Sequence, residues 1–100
     1  MNNINNVREA VKRVGEATLE MNTIPQAIYT IEECSELIKE LTKRERSKGD
    51  NETLVSEACD VLTSVLILLS QLEVSENNVR DKILFKCNRA LNRAEQTGEF

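Results

Sequence analysis

The sequence predicts an all-α domain of four to five helices that assembles into a helical bundle across a homo-oligomer interface. Composition is the first reason: there are 3 Gly, 1 Pro, 1 Tyr, 2 Phe and no Trp, so helix breakers and aromatic β-formers are scarce. Apolar residues also recur at three- and four-residue spacing along four stretches divided by short polar breaks. Finally, a chain of 100 residues buries only about 60–65% of the surface its unfolded form exposes, so sharing apolar surface with another copy adds stability. The whole of residues 1–100 reads as one domain.

The first helix is predicted from about Asn6 to Met21, with Val7, Ala10, Val11, Val14, Ala17 and Met21 on one face. Thr23-Ile24-Pro25-Gln26 then resembles a capping box with Pro in the first turn. The second helix runs to about Arg46 or Ser47, where Lys48-Gly49-Asp50-Asn51 breaks it. A third runs from near Glu52 to about Glu73. Ser75 caps a fourth, stapled by Val74 and Val79, which frays near Thr97-Gly98. Short connections make neighbouring helices antiparallel.

Charge and cysteine usage narrow the class. A net charge of −4 argues against a dedicated nucleic-acid binder. Cys34, Cys59 and Cys87 each fall within an apolar helical pattern, and without His or a CxxC pair they read as reduced, buried thiols of a cytosolic protein rather than zinc ligands. The N-terminal segment lacks the basic start and apolar core of a secretion signal. The longest uncharged run, Val61 to Leu72, spans 12 residues, short for a bilayer. The expectation is a cytoplasmic protein with neither a membrane nor a nucleic acid as partner. With no Trp, a base-recognition site must use Tyr29, Phe85, Phe100 or aliphatic walls.

The third helix carries the sharpest signal. Leu54, Val55, Ala58, Val61, Leu62, Val65, Leu66, Leu68 and Leu69 cover half its circumference, and Ser56, Thr63, Ser64, Ile67, Ser70 and Gln71 hold the rest. Between Leu54 and Leu72 the only charges are Glu57 and Asp60. A helix without Lys or Arg is expected to be buried nearly all round, and buried acids need a cation, a proton or a metal. The second helix offers the complement. Gln26, Tyr29, Glu33, Glu36 and Glu40 fall within an arc of about 80°, opposite Ile24, Ile28, Ile31, Cys34, Ile38 and Leu41. Antiparallel packing sets Glu33 and Glu36 against Glu57 and Asp60. Two carboxylates about 6 Å apart repel by roughly 3 kcal/mol at an effective dielectric of 20, so a divalent cation is the natural partner. Oxygen-only ligands favour Mg²⁺, with Mn²⁺ as the alternative. Each acidic pair taken singly is no more than a solvated helix face; the two together, one on an otherwise uncharged helix, point to a site.

Glu32-Glu33-Cys34-Ser35-Glu36 followed by Glu57-Ala58-Cys59-Asp60, with 20 residues between Glu36 and Glu57, resembles the EExxE…ExxD signature of the MazG-like all-α NTP pyrophosphohydrolases. Gln26 upstream, Glu36-Leu37-Ile38-Lys39-Glu40-Leu41 downstream and Asp60-Val61-Leu62 fit the same pattern. The resemblance covers roughly Ile24 to Arg93. It implies a helical domain forming a dimer or a dimer of dimers, and hydrolysis of (d)NTP between the α and β phosphates to (d)NMP and pyrophosphate. It implies Mg²⁺ ligation by Glu33, Glu36, Glu57 and Asp60, with Glu32 or a ligand such as Glu33 orienting or deprotonating the attacking water. The related phosphoribosyl-ATP branch carries a Tyr-His pair just after the Asp. Here Val61-Leu62-Thr63 follows and there is no His, which disfavours that branch. The implied purpose is nucleotide-pool housekeeping. The rival reading is a non-catalytic helical oligomerisation module that keeps the acids as a metal or interface site.

On the last helix, Lys82, Lys86, Arg89 and Arg93 lie within about 60° of one another, whereas Asn88 points roughly 120° away. The resemblance implies that such residues help hold the triphosphate, Lys86 foremost because it lies midway along the stripe. The plainer reading is a solvated stripe, or one that pairs with acids of another subunit. Gln26 and Tyr29 are further substrate-contact candidates, although Tyr29 suits helix padding better than base stacking.

Overall fold

A computed structural model describes residues 2–98; Phe100 lies outside them. The residues form four helices: α1 (Val7–Met21), α2 (Gln26–Glu45), α3 (Asn51–Gln71) and α4 (Glu76–Thr97). Asn6, Asp50 and Ser75 cap α1, α3 and α4, each accepting from a backbone N–H three residues on. Orphan donors at three helix starts are thereby satisfied.

The expected capping box at the start of α2 does not form. Pro25 is the N-cap and supplies no side-chain bond, and having no backbone N–H it leaves a following glutamine nothing to cap. Gln26 is the first helical residue, and its carboxamide reaches across to α3 instead. The C-terminal ends of α2 and α3 share a second device. Ser47 and Glu73 both adopt φ 58°, and the next residues, Lys48 and Val74, donate to the carbonyls of Lys43 and Leu69. These are Schellman turns built without glycine. At α2 the break therefore comes at Ser47, ahead of Gly49.

Helix α3 packs on both α1 and α2, while α4 does not pack extensively on any of them. Antiparallel α2 and α3 bring Gln26 to Ser64 and Glu33 to Asp60. Helix α1 comes close to α3 at Gly15, where a Cβ would stand 3.2 Å from the Ser70 Oγ. Beside that point Gln71 Nε2 donates to the Gly15 carbonyl and to Thr18 Oγ1.

The face of α3 that packs within the protomer is the polar one. Ser64 and Ile67 are buried, whereas Val55 and Leu62 are about 60% exposed. The expectation of near-complete burial thus fails: on the polar side Ser64 and Ile67 are buried while Ser56 and Thr63 are exposed, and on the apolar side no residue is fully buried. Helix α2 behaves alike: Ile28, Ile31, Ile38 and Leu41 face outward, while Gln26 and Thr30 bond to α3. Among the described residues Ile67 is the one buried apolar side chain; the expected burial of the cysteines fails with the rest of the apolar side, Cys34 being half-buried and Cys59 and Cys87 exposed. The radius of gyration is 16.6 Å, against about 13 Å for a compact chain of this size. Helix α3 is also long and apolar enough, by length and composition, to cross a membrane, with a mean hydropathy of 1.6 over its best window. Glu57 and Asp60 are the only charges between Leu54 and Leu72, so the apolar stretch extends beyond the 12-residue uncharged run.

Candidate functional site

Residue spacing on two antiparallel helices creates the acidic centre. Glu57 and Asp60, three apart on α3, share a face, and Glu33 on α2 meets them. One carboxylate oxygen from each lies within 4.8 Å of the others. Partial burial comes first in holding the Glu57 carboxyl above its ordinary value, followed by the negative charges of Asp60, Glu36, Glu33 and Glu40. Desolvation and like charge both disfavour the ionised carboxylate. The donor set is entirely carboxylate oxygen, and its electrostatics favour a cation, so the residues fit a hard divalent ion.

The other two acids of the signature stand apart from this group. Glu36 pairs with Lys39 at 3.6 Å on the exposed side of α2; it is near enough to act on Glu57 but lies outside the trio. Glu32 is exposed and also outside it, because adjacent helical positions diverge by about 100°. Glu40, one turn beyond Glu36, is a buried carboxylate paired with Lys43 at 3.0 Å.

A cleft of about 390 Å³ opens beside the acids, lined by Asn22, Gln26, Tyr29, Glu33, Asp60 and Thr63 among others. It brings two expected contacts, Gln26 and Tyr29, to the acidic centre. Asn22 and Thr63 are added by the structure. Asn22 sits in the α1–α2 connection, where periodicity assigns no direction, and Thr63 reads in sequence as one hydroxyl of a polar face.

The basic stripe is elsewhere. Lys82, Lys86, Arg89 and Arg93 are exposed on α4, and none lines the cleft. Asn88, Arg89 and Arg93 border a shallow hollow of their own with Phe85, where the Arg89 guanidinium lies 5.8 Å from the ring centre. Within one protomer the structure does not bring these cations to the acids.

Residues 25–93 match the family profile of the MazG nucleotide pyrophosphohydrolase domain. The chain belongs to that family. No curated protein and no solved structure matches it. Membership in the MazG family agrees with the all-helical fold, and the matched span contains the acidic trio and most of the cleft.

Proposed function

We propose that this MazG-family chain is a Mg²⁺-dependent nucleoside-triphosphate pyrophosphohydrolase. It cleaves (d)NTP between the α and β phosphates and releases (d)NMP and pyrophosphate. Convergence of Glu33, Glu57 and Asp60 from two helices carries the reading. Glu36 completes the ligand set from the adjacent turn of α2, and Mn²⁺ substitutes for Mg²⁺.

A bound divalent ion neutralises phosphate charge and acidifies water at the site. The protein's own groups do the rest. Glu33, or Glu32 beside it, orients a water toward the α phosphorus and takes its proton. The new P–O bond forms as the bond to the bridging oxygen breaks, and pyrophosphate departs with that oxygen.

Assembly as a homodimer or homotetramer belongs to the same proposal. The outward apolar sides of α2 and α3 need cover, and the α4 cations lie outside their own protomer's cleft. Lys86, with Lys82, Arg89 and Arg93, then contacts phosphate from a second copy. We place the enzyme in the cytoplasm, acting as one domain on a nucleotide pool.

The exposed apolar sides also support a second reading, a non-catalytic oligomerisation module. A panel of NTPs and dNTPs with and without Mg²⁺, read as pyrophosphate release, separates the two. Metal-dependent release from at least one nucleotide is expected; none from any of them leaves the oligomerisation module.

A further inference from the structure

The orientation of one carboxamide in the cleft is fixed by proton accounting. Thr30 has a single hydroxyl proton and donates it to the Gln26 backbone carbonyl at 3.1 Å. In the 2.8 Å contact between Ser64 Oγ and Thr30 Oγ1, Ser64 must therefore be the donor. Gln26 Nε2 donates to Ser64 Oγ at 3.0 Å and to the Ser64 carbonyl at 3.3 Å. That carbonyl only accepts, so the amide nitrogen is the atom facing α3. The amide nitrogen is thereby engaged on α3. What remains is Gln26 Oε1, which accepts no hydrogen bond among the described residues. Asn22, across the same cleft, has a side chain that makes no hydrogen bond among the described residues. The cleft, an open hollow of about 390 Å³, thus presents an oriented acceptor and an adaptable amide next to Glu33 and Asp60.

We propose that this cleft reads the base of the nucleotide: Gln26 Oε1 accepts from an N–H on the base's hydrogen-bonding edge, and Asn22 makes the second polar contact. Ser64 is a positioning residue, acting through Gln26. The proposal rests on the pyrophosphohydrolase reading for its substrate and assigns base selection to residues outside the acidic signature. A base with that N–H methylated leaves Oε1 unpaired, a penalty much larger than any lost packing.

The test compares the best nucleotide substrate with its counterpart methylated at the ring or amino nitrogen of that edge. Wild type should lose about tenfold or more in kcat/KM on the methylated compound, the scale of one hydrogen bond. Gln26→Ala should raise KM for the unmodified nucleotide and shrink that ratio toward one. Asn22→Ala, at an exposed position outside any helix, keeps the comparison valid if Gln26→Ala fails to fold; it should raise KM in the same way. A second readout needs no catalysis: titrating the nucleoside monophosphate into metal-free protein should shift the Gln26 and Asn22 side-chain NMR signals. Signal shifts without pyrophosphate release from any nucleotide would uphold the base site and sink the enzyme reading. An active enzyme that keeps full discrimination in both variants would overturn the base site alone.

Discussion

Thr30 Oγ1 and Ser64 Oγ lie 2.8 Å apart, joining α2 to α3 one turn from the acidic trio. With Gln26 they form a closed ring of donors in which every hydroxyl proton has a destination. Ser64 is 6% exposed, so its loss leaves Thr30 and Gln26 short of a buried partner. Ser64→Ala should cost about 1–3 kcal/mol of stability, read as the shift in a urea unfolding curve. A cost near zero would mean that water replaces the hydroxyl freely and that the ring orients nothing.

Asp60→Asn tests the metal centre. The substitution keeps size and hydrogen-bonding capacity but removes one charge from the trio. Pyrophosphate release should be lost, and the Mg²⁺-induced rise in Tm should shrink; for wild type that rise reflects about 2.7 kcal/mol at a hundredfold excess over Kd. The metal-free variant should be no less stable than wild type, because a repulsive neighbour of Glu57 has gone. A structural acid would instead lose stability with or without metal.

Leu62→Glu and Ile31→Glu put charges on the outward faces of α3 and α2, where both residues are about 60% exposed. In an isolated protomer such changes are nearly neutral. Buried between copies, each should dissociate the assembly, seen by light scattering as a fall in mass, with loss of helix at micromolar concentration. A wild type that is a stable folded monomer would remove the oligomer from the proposal.

Lys86 should act across that interface. Lys86→Ala is expected to raise KM for triphosphate by about tenfold, typical of a lost charge-assisted hydrogen bond, and to leave Tm unchanged because the side chain is exposed. Mixing Lys86→Ala subunits with Asp60→Asn subunits should recover activity, since a hybrid holds one site with intact acids and an intact lysine. Without recovery, the lysine works within its own protomer or not at all.

Asp50 gives the pH dependence a sign. The Thr53 backbone N–H and then its hydroxyl hold the Asp50 carboxyl below 3.8. A carboxyl lowered on folding contributes stability that is complete above its unfolded value and is lost as pH falls through the folded one. Asp50→Asn keeps a capping acceptor without the titration, so its stability should fall less steeply than wild type below about pH 4, the unperturbed carboxyl range. Parallel Tm-against-pH curves for the two would show that the cap is indifferent to charge.

Helix positions were legible in the sequence to within one or two residues, because periodicity, the Lys48-Gly49-Asp50-Asn51 break and the Ser75 cap agree. So was the pairing of Glu33 with Glu57 and Asp60, which needs only two faces and an antiparallel turn. Which face turns inward was not. Period-3.6 patterning shows that Ile28, Ile31 and Ile38 share a side, yet it cannot distinguish a protomer's own core from a surface meant for another copy. Only the capping role read for Gln26 fails, and for a local reason: a glutamine three residues after a threonine matches a capping box until Pro25 takes the N-cap. Asn22 carries no signal in the sequence, because a two-helix connection has no periodic face.

Gly15 lets α1 approach α3 with no Cβ between them, and the same helix leads directly to Asn22, which lines the cleft. A larger side chain at residue 15 would lever α1 outward about that crossing and carry Asn22 away from Gln26. If base selection resides in that cleft, a graded series at position 15 (Ala, Val, Leu), well removed from the chemistry, should relax base discrimination before it touches the acids.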